Sequence, residues 1–201
     1  MPRKLSRRTL LSRTAALTLL TLADIAEAGP RRYVLVPSQS SIVFAFRLNG
    51  SPQTGTVPIV RAEFTVDTGN LAASSADVSA DLRGAKTGFF FATEALKSPQ
   101  VLDAGNHRLV RYVTQRINLG RSGQIFDGAT VDGLLTMRGI TRPLRLAAQL
   151  TRPPGTAETD LARLYIRLSG SLARSDFGAS GYSDIVADRV DLDIRAAIAA
   201  A

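Results

Sequence analysis

Cysteine is absent from the 201-residue chain, and histidine occurs once, at position 107. The first absence excludes disulfides, thiolate metal sites and cysteine nucleophiles together. It leaves the compartment undecided, because an oxidising one permits disulfides without requiring them. The second means that an imidazole zinc site or a Ser-His-Asp triad would have to be built around His107 alone. His107 stands in Gly105-Asn106-His107-Arg108, a turn-like lead into a strand, where an exposed surface histidine is expected. Aromatic residues make up only 6% of the chain, yet three of them are consecutive: Phe89, Phe90 and Phe91.

No block of like charge is present beyond the first segment. Arg3, Lys4, Arg7, Arg8 and Arg13 against Asp24 and Glu27 leave residues 1–28 at +3 and the remainder at +5 of the formal +8. The other arginines are scattered through alternating segments, which fits solvated faces and argues against a nucleic-acid footprint. Residues 1–28 themselves have the layout of an export signal: a basic stretch, the apolar run Ala15 to Ala23, and the small-residue site Ala26-Glu27-Ala28. Ser6-Arg7-Arg8-Thr9-Leu10-Leu11 is similar to the twin-arginine consensus, which implies recognition by the twin-arginine export machinery and a periplasmic destination. The apolar run stops at Asp24, well short of the about 20 residues that span a bilayer, and no later segment is a membrane-spanning candidate. The remaining residues 29–201 are expected to form one domain.

Within that domain the dominant signal is period-two alternation, the mark of half-buried strands. In 41–48, Ile42, Phe44, Phe46 and Leu48 share one face, and the run ends at Asn49-Gly50, a hairpin signal. The same alternation is read in 143–151, with Leu144, Leu146 and Leu150, and in 163–173, with Leu164, Ile166 and Leu168. It recurs near the end, where Val190, Leu192 and Ile194 alternate with charged residues. Fainter strand patterns cover 33–37, 57–67, 76–83, 108–119 and 125–138. Only 91–97, FATEALK, reads as helix, stopped by Ser98-Pro99. The Gly/Pro-rich stretches 50–58 and 152–157 are expected to be loops. Many strands and one short helix, without βαβ alternation, give an all-β fold and leave a closed barrel and a sandwich both open.

Little in the chain supports catalysis. Asp191 and Asp193 lie on one face of a strand, the minimum for a carboxylate pair, but Arg189 and Arg195 flank them. A charge-balanced outer face is the expected outcome. Asp176-Phe177-Gly178 matches a kinase magnesium tripeptide by letters only, with no phosphate loop beside it. No metal or nucleotide signature is found. Phe89 to Phe91, followed by Leu96, read either as core packing or as the apolar mouth of a ligand cavity.

From Tyr33 to Ile194 the order of segments resembles the YceI-like, polyisoprenoid-binding family. The resemblance rests on Tyr33-Val34-Leu35-Val36-Pro37 with Ser40-Ser41-Ile42-Val43-Phe44, and on Thr87-Gly88 followed by Leu96-Lys97-Ser98 and Asp103. Its most specific segment is Gly133-Leu134-Leu135-Thr136-Met137-Arg138-Gly139-Ile140-Thr141-Arg142-Pro143-Leu144, and Arg174-Ser175-Asp176-Phe177-Gly178 with Asp188-Arg189-Val190 matches the closing pattern. The chain departs where such proteins usually carry polar groups: Gln39 and Leu48 replace histidines, and Ala92, Thr93, Glu94 and Ala95 replace an Arg-Asp-x-His run.

The resemblance implies a lipocalin-like antiparallel barrel enclosing a long isoprenoid tail, such as that of a quinone or prenyl phosphate. Eight strands is about the size at which a barrel holds one slender ligand. The expected interior lining is Phe44, Phe46, Leu135, Leu146, Leu164 and Ile166, with Phe89, Phe90, Phe91 and Leu96 at the mouth. The resulting expectation is a non-enzymatic periplasmic carrier that needs no catalytic cofactor and no metal. Its partners would be an isoprenoid-type lipid and the export machinery, with a homodimer left open. The alternative is a basic β-sandwich module binding a protein or an acidic glycan.

Overall fold

Two pairs of residues with positive φ set the tightest hairpins: Asn49 and Gly50 at 48° and 77°, and Arg138 and Gly139 at 53° and 74°. Both are two-residue turns of the kind whose twist matches that of the strands they join, closing Leu48 against Ser51 and Met137 against Ile140. The computed structural model describes residues 29–120, 128–157 and 160–201. The expected export signal at 1–28 lies outside the described residues.

The first three staves are long and bent. β1 (Pro30–Leu35) and β2 (Ser41–Leu48) are halves of one, broken by a 3-10 turn at Pro37–Gln39. β3 (Ser51–Val57) and β4 (Ile59–Asp67) form the second, broken at Pro58. β5 (Ser75–Asp81) and β6 (Lys86–Thr87) form the third, broken by the 3-10 turn Leu82–Gly84. The second and third breaks coincide in space. The Asp81 N–H donates to the Pro58 carbonyl at 2.9 Å, and a β-carbon on Gly84 would fall 2.5 Å from Pro58 Cγ. Five further strands follow: β7 (Leu109–Leu119), β8 (Ala129–Met137), β9 (Ile140–Thr151), β10 (Arg163–Ala173) and β11 (Arg189–Ala200).

Each stave pairs antiparallel with its successor in the chain, and β11 pairs with both halves of the first, through Tyr33↔Ala200 and Asp191↔Ala45. The ring is therefore a closed, eight-stranded, up-and-down antiparallel barrel, and closure removes the sandwich reading. Among the described residues there is one α-helix, α1 (Phe90–Lys97), in the connection from β6 to β7. The stretch 50–58, expected as a loop, is instead mostly strand β3. Its glycine is not a turn signal: Gly55 faces the barrel interior directly opposite Phe44, and the absence of a side chain makes room for that ring.

Two β-bulges, between Ile59 and Arg61 and between Thr114 and Arg116, shift the register of β4 and β7. Each reverses which parity faces inward. The outer face carries ion pairs between neighbouring strands, such as Arg111–Asp77 at 2.5 Å, Arg145–Asp132 at 2.6 Å and Arg167–Asp193 at 3.2 Å. Asp191 is held at 2.7 Å by Arg189, so the Asp191 and Asp193 carboxylates belong to this solvated mosaic. At the barrel end near the termini, Tyr33, Phe64, Val66, Leu164, Ala196 and Ile198 pack into a closed apolar cluster, and the Tyr33 hydroxyl donates to the Leu161 carbonyl at 2.8 Å. The opposite end carries both tight turns, the α1 segment and the 174–188 connection.

Candidate ligand cavity

Inward-facing side chains do not fill the barrel. They enclose a cavity of about 740 Å³, within the range of roughly 300–1,000 Å³ typical of small-molecule sites. It extends from Phe91, Tyr182 and Ile185 at the α1 end to Leu71, Leu119 and Gly128 near the other. Its wall draws on every stave. Phe44 and Phe46 stack with centroids 6.0 Å apart along one side. A β-carbon on Gly55 would meet Phe44 Cζ at 2.2 Å, and one on Gly133 would meet Tyr112 Cζ at 2.3 Å. Each ring thus lies flat across a neighbouring strand, a geometry only glycine permits there.

Polar side chains on the wall are few: Ser74, Ser75, Tyr112, Thr114, Gln149, Arg174 and Tyr182. The Tyr112 hydroxyl donates toward the Val131 and Leu144 carbonyls at 3.2 and 3.3 Å. Burial, reinforced by the charge of Asp132, pushes this hydroxyl up to about 12, so it remains a neutral donor. Arg174 is buried, and among the described residues it has no acidic partner. Its guanidinium donates to the carbonyls of Gly181, Val186 and Ala187 at 2.7, 2.9 and 3.2 Å, and to that of Ala179. Asp188 accepts from the Ser175 N–H and hydroxyl, both at 2.8 Å. The Arg-Ser-Asp-Phe-Gly segment is therefore a brace: it fastens the 179–187 segment over one end of the cavity, with Phe177 packed beneath and Gly178 left-handed at φ 68°.

The α1 side of the mouth is built from the other motifs. The Thr87 hydroxyl bonds to the Phe89 carbonyl and the Thr93 hydroxyl, both at 3.0 Å, tying the start of the helix to β6. The Ser98 hydroxyl donates to Ala95 O at 2.7 Å, and Arg138 reaches from the β8–β9 turn to the carbonyls of Pro99 and Val101 at 2.7 and 2.9 Å. Asp103 accepts from Asn106 at 3.0 Å and lies 3.8 Å from His107 Nε2. His107 lies against the turn at Gly139 with its side chain 40% exposed, in keeping with a surface histidine.

Of the expected lining residues, Phe44, Phe46, Leu135, Leu146 and Ile166 are on the cavity wall, with Phe91 and Leu96 near the mouth. Three differ. Leu164 points inward but is sealed in the packed end cluster. Phe89 and Phe90 stand exposed outside the wall. Ile42, Phe64, Val78, Tyr112, Leu192 and Ile194 line it without having been singled out.

The family model of the YceI-like domain matches residues 33–198, nearly the whole barrel. The chain belongs to the YceI-like family. Among solved structures of similar shape, BcnA of Burkholderia cenocepacia superposes with a TM-score of 0.71 at 17% identity, over 82% of this chain and 99% of its own. A polyisoprenoid-binding domain from Saccharophagus degradans, implicated in plant cell wall breakdown, gives 0.60 at 11% identity over 84% and 98%. The YceI protein of Campylobacter jejuni gives 0.53 at 16% over 96% and 97%. No curated protein matches the chain. At these identities the likeness is one of fold.

Proposed function

We propose that this YceI-like chain is a non-enzymatic carrier for a long apolar ligand, an isoprenoid lipid or quinone tail, held inside the barrel. The observation that carries the reading is the continuous apolar cavity running between Phe91 and Leu71, with stacked Phe44 and Phe46 on its wall. Each methylene taken from water contributes about 0.8 kcal/mol, so such a tail binds tightly without a directed hydrogen bond. The relative from Saccharophagus degradans, described as polyisoprenoid-binding, supports the same ligand class. Selection is by length and shape, and the scarce polar groups on the wall leave the headgroup near the mouth.

Organic extraction of protein purified from its host, followed by mass spectrometry, tests this: a stoichiometric isoprenoid lipid is expected, and repeated recovery of ligand-free protein overturns it. Export through the twin-arginine pathway to the periplasm belongs to the same proposal. It predicts a mature N-terminus at Gly29 in the periplasmic fraction and retention of the precursor when Arg7 and Arg8 are both replaced by Lys.

A further inference from the structure

Phe89, Phe90 and Phe91 are 62%, 73% and 85% exposed, and the last two rings meet edge to face with centroids 5.7 Å apart. Apolar residues scattered singly over a surface need no explanation, but three consecutive phenyl rings in water mark a contact surface. A ligand held in the interior does not account for them, because Phe89 and Phe90 lie outside the cavity wall. The patch is nevertheless continuous with the cavity. Phe91 belongs to both, and Tyr182 and Ile185, 43% and 39% exposed on the braced segment at the same end of the barrel, also line the wall.

We infer that this rim is a membrane-docking surface: the three phenyl rings enter the acyl boundary of a lipid bilayer and join it to the cavity. The inference rests on the carrier reading. A polyisoprenoid crossing water between bilayer and barrel would expose its methylenes at about 0.8 kcal/mol each. Contact between the rim and the acyl region removes that barrier, since bilayer, rings and cavity wall then form one apolar path. The size of the patch favours a bilayer over a second copy of the chain. Three largely exposed phenyl rings present on the order of 500 Å², short of the roughly 800 Å² that each partner contributes to a stable protein interface. A few protruding rings suffice for a bilayer, because phenylalanine on an interfacial surface buries its ring at the boundary between headgroups and acyl chains.

The test compares the wild-type protein with F89S/F90S, which alters the rim and spares the wall. Flotation with phosphatidylcholine vesicles reads docking, and binding of a fluorescent polyene fatty acid in solution reads the cavity. The wild type is expected to float with vesicles equally in low and high salt, as apolar insertion requires. The variant's partitioning is expected to fall by about tenfold or more, with circular dichroism and polyene binding unchanged. A wild type that binds the polyene but ignores vesicles overturns the docking inference and leaves the carrier reading standing. Vesicle binding without polyene binding sinks the carrier reading instead. A concentration-dependent dimer in sedimentation that F89S/F90S abolishes overturns docking in favour of self-association.

Discussion

The ring of Phe44 lies across Gly55 of the neighbouring strand so closely that any β-carbon there would overlap Phe44 Cζ, at 2.2 Å, and the Lys86 carbonyl, at 2.6 Å. Neither neighbour can yield freely, because Phe44 is stacked on Phe46 and the carbonyl belongs to β6, which pairs with β3. Replacing Gly55 with Val therefore drives the Phe44 ring into the cavity and strains the β3–β6 contact. The expected cost is about 1–3 kcal/mol in urea unfolding, accompanied by weaker ligand retention. Retention and stability both equal to wild type would show that the ring is free to move.

The same pair explains why part of the sequence was illegible. Gly55 and Pro52 look like loop residues, and nothing within 50–58 announces that the glycine faces inward under an aromatic ring on another strand. Strands with uninterrupted alternation, such as Arg163–Ala173, are readable because one parity points into the barrel along their whole length. In β4 and β7 the bulges reverse the inward parity mid-strand, so Ile59 and Phe64 both face in although five positions apart, as do Thr114 and Ile117 at three. Period-two reading blurs at such points. Alternation also gives the direction of a side chain but not its depth along the barrel, which is why Leu164 shares the inward face of Ile166 yet sits in the packed end. Of the motifs that carried the family resemblance, those at Thr87, Ser98, Arg138 and Arg174 turn out to be braces around the mouth, whereas the Tyr33 segment belongs to the packed end.

Arg174 gathers four backbone carbonyls between Ala179 and Ala187. Arg174→Met keeps the aliphatic stem but leaves buried acceptors unpaired. A loss of about 2–4 kcal/mol is expected, with faster amide hydrogen exchange confined to the 179–187 segment. Arg174→Lys should recover little, since a single ammonium cannot reproduce the planar fork. Full rescue by lysine would mean that charge, not geometry, holds the segment.

Acid should loosen the outer face. Hydrogen bonds from Arg111, Arg108 and Arg145 hold the Asp77, Asp81 and Asp132 carboxyls below their usual range. A depressed carboxyl stabilises the fold above its unfolded value, about 3.9, and that contribution is lost as pH falls through the folded value. The melting temperature is therefore expected to be flat with respect to these groups from neutral pH to about 5 and to drop below about 4. The partners are exposed, so each pair contributes modestly and added salt should shrink the effect. In Asp77→Asn the acid-induced drop should be shallower; an identical drop would locate the acid sensitivity in other carboxylates.

Phe46 and Leu164 separate the cavity from the packing that closes it. Phe46 faces open space on the wall and touches Phe44, whereas Leu164 is fully enclosed among Tyr33, Phe64 and Ile198. Leu164→Ala should cost about 2–5 kcal/mol by leaving a void in a close-packed cluster, while a folded sample still retains ligand. Phe46→Asp sets a carboxylate beside the hydrocarbon tail and should abolish ligand retention, because burying an unpaired charge against it is costly. The cavity can admit water around that carboxylate, so the barrel is expected to keep its circular dichroism spectrum. If ligand survives Phe46→Asp but is lost from folded Leu164→Ala, the tail lies in the packed end and not along the stacked rings.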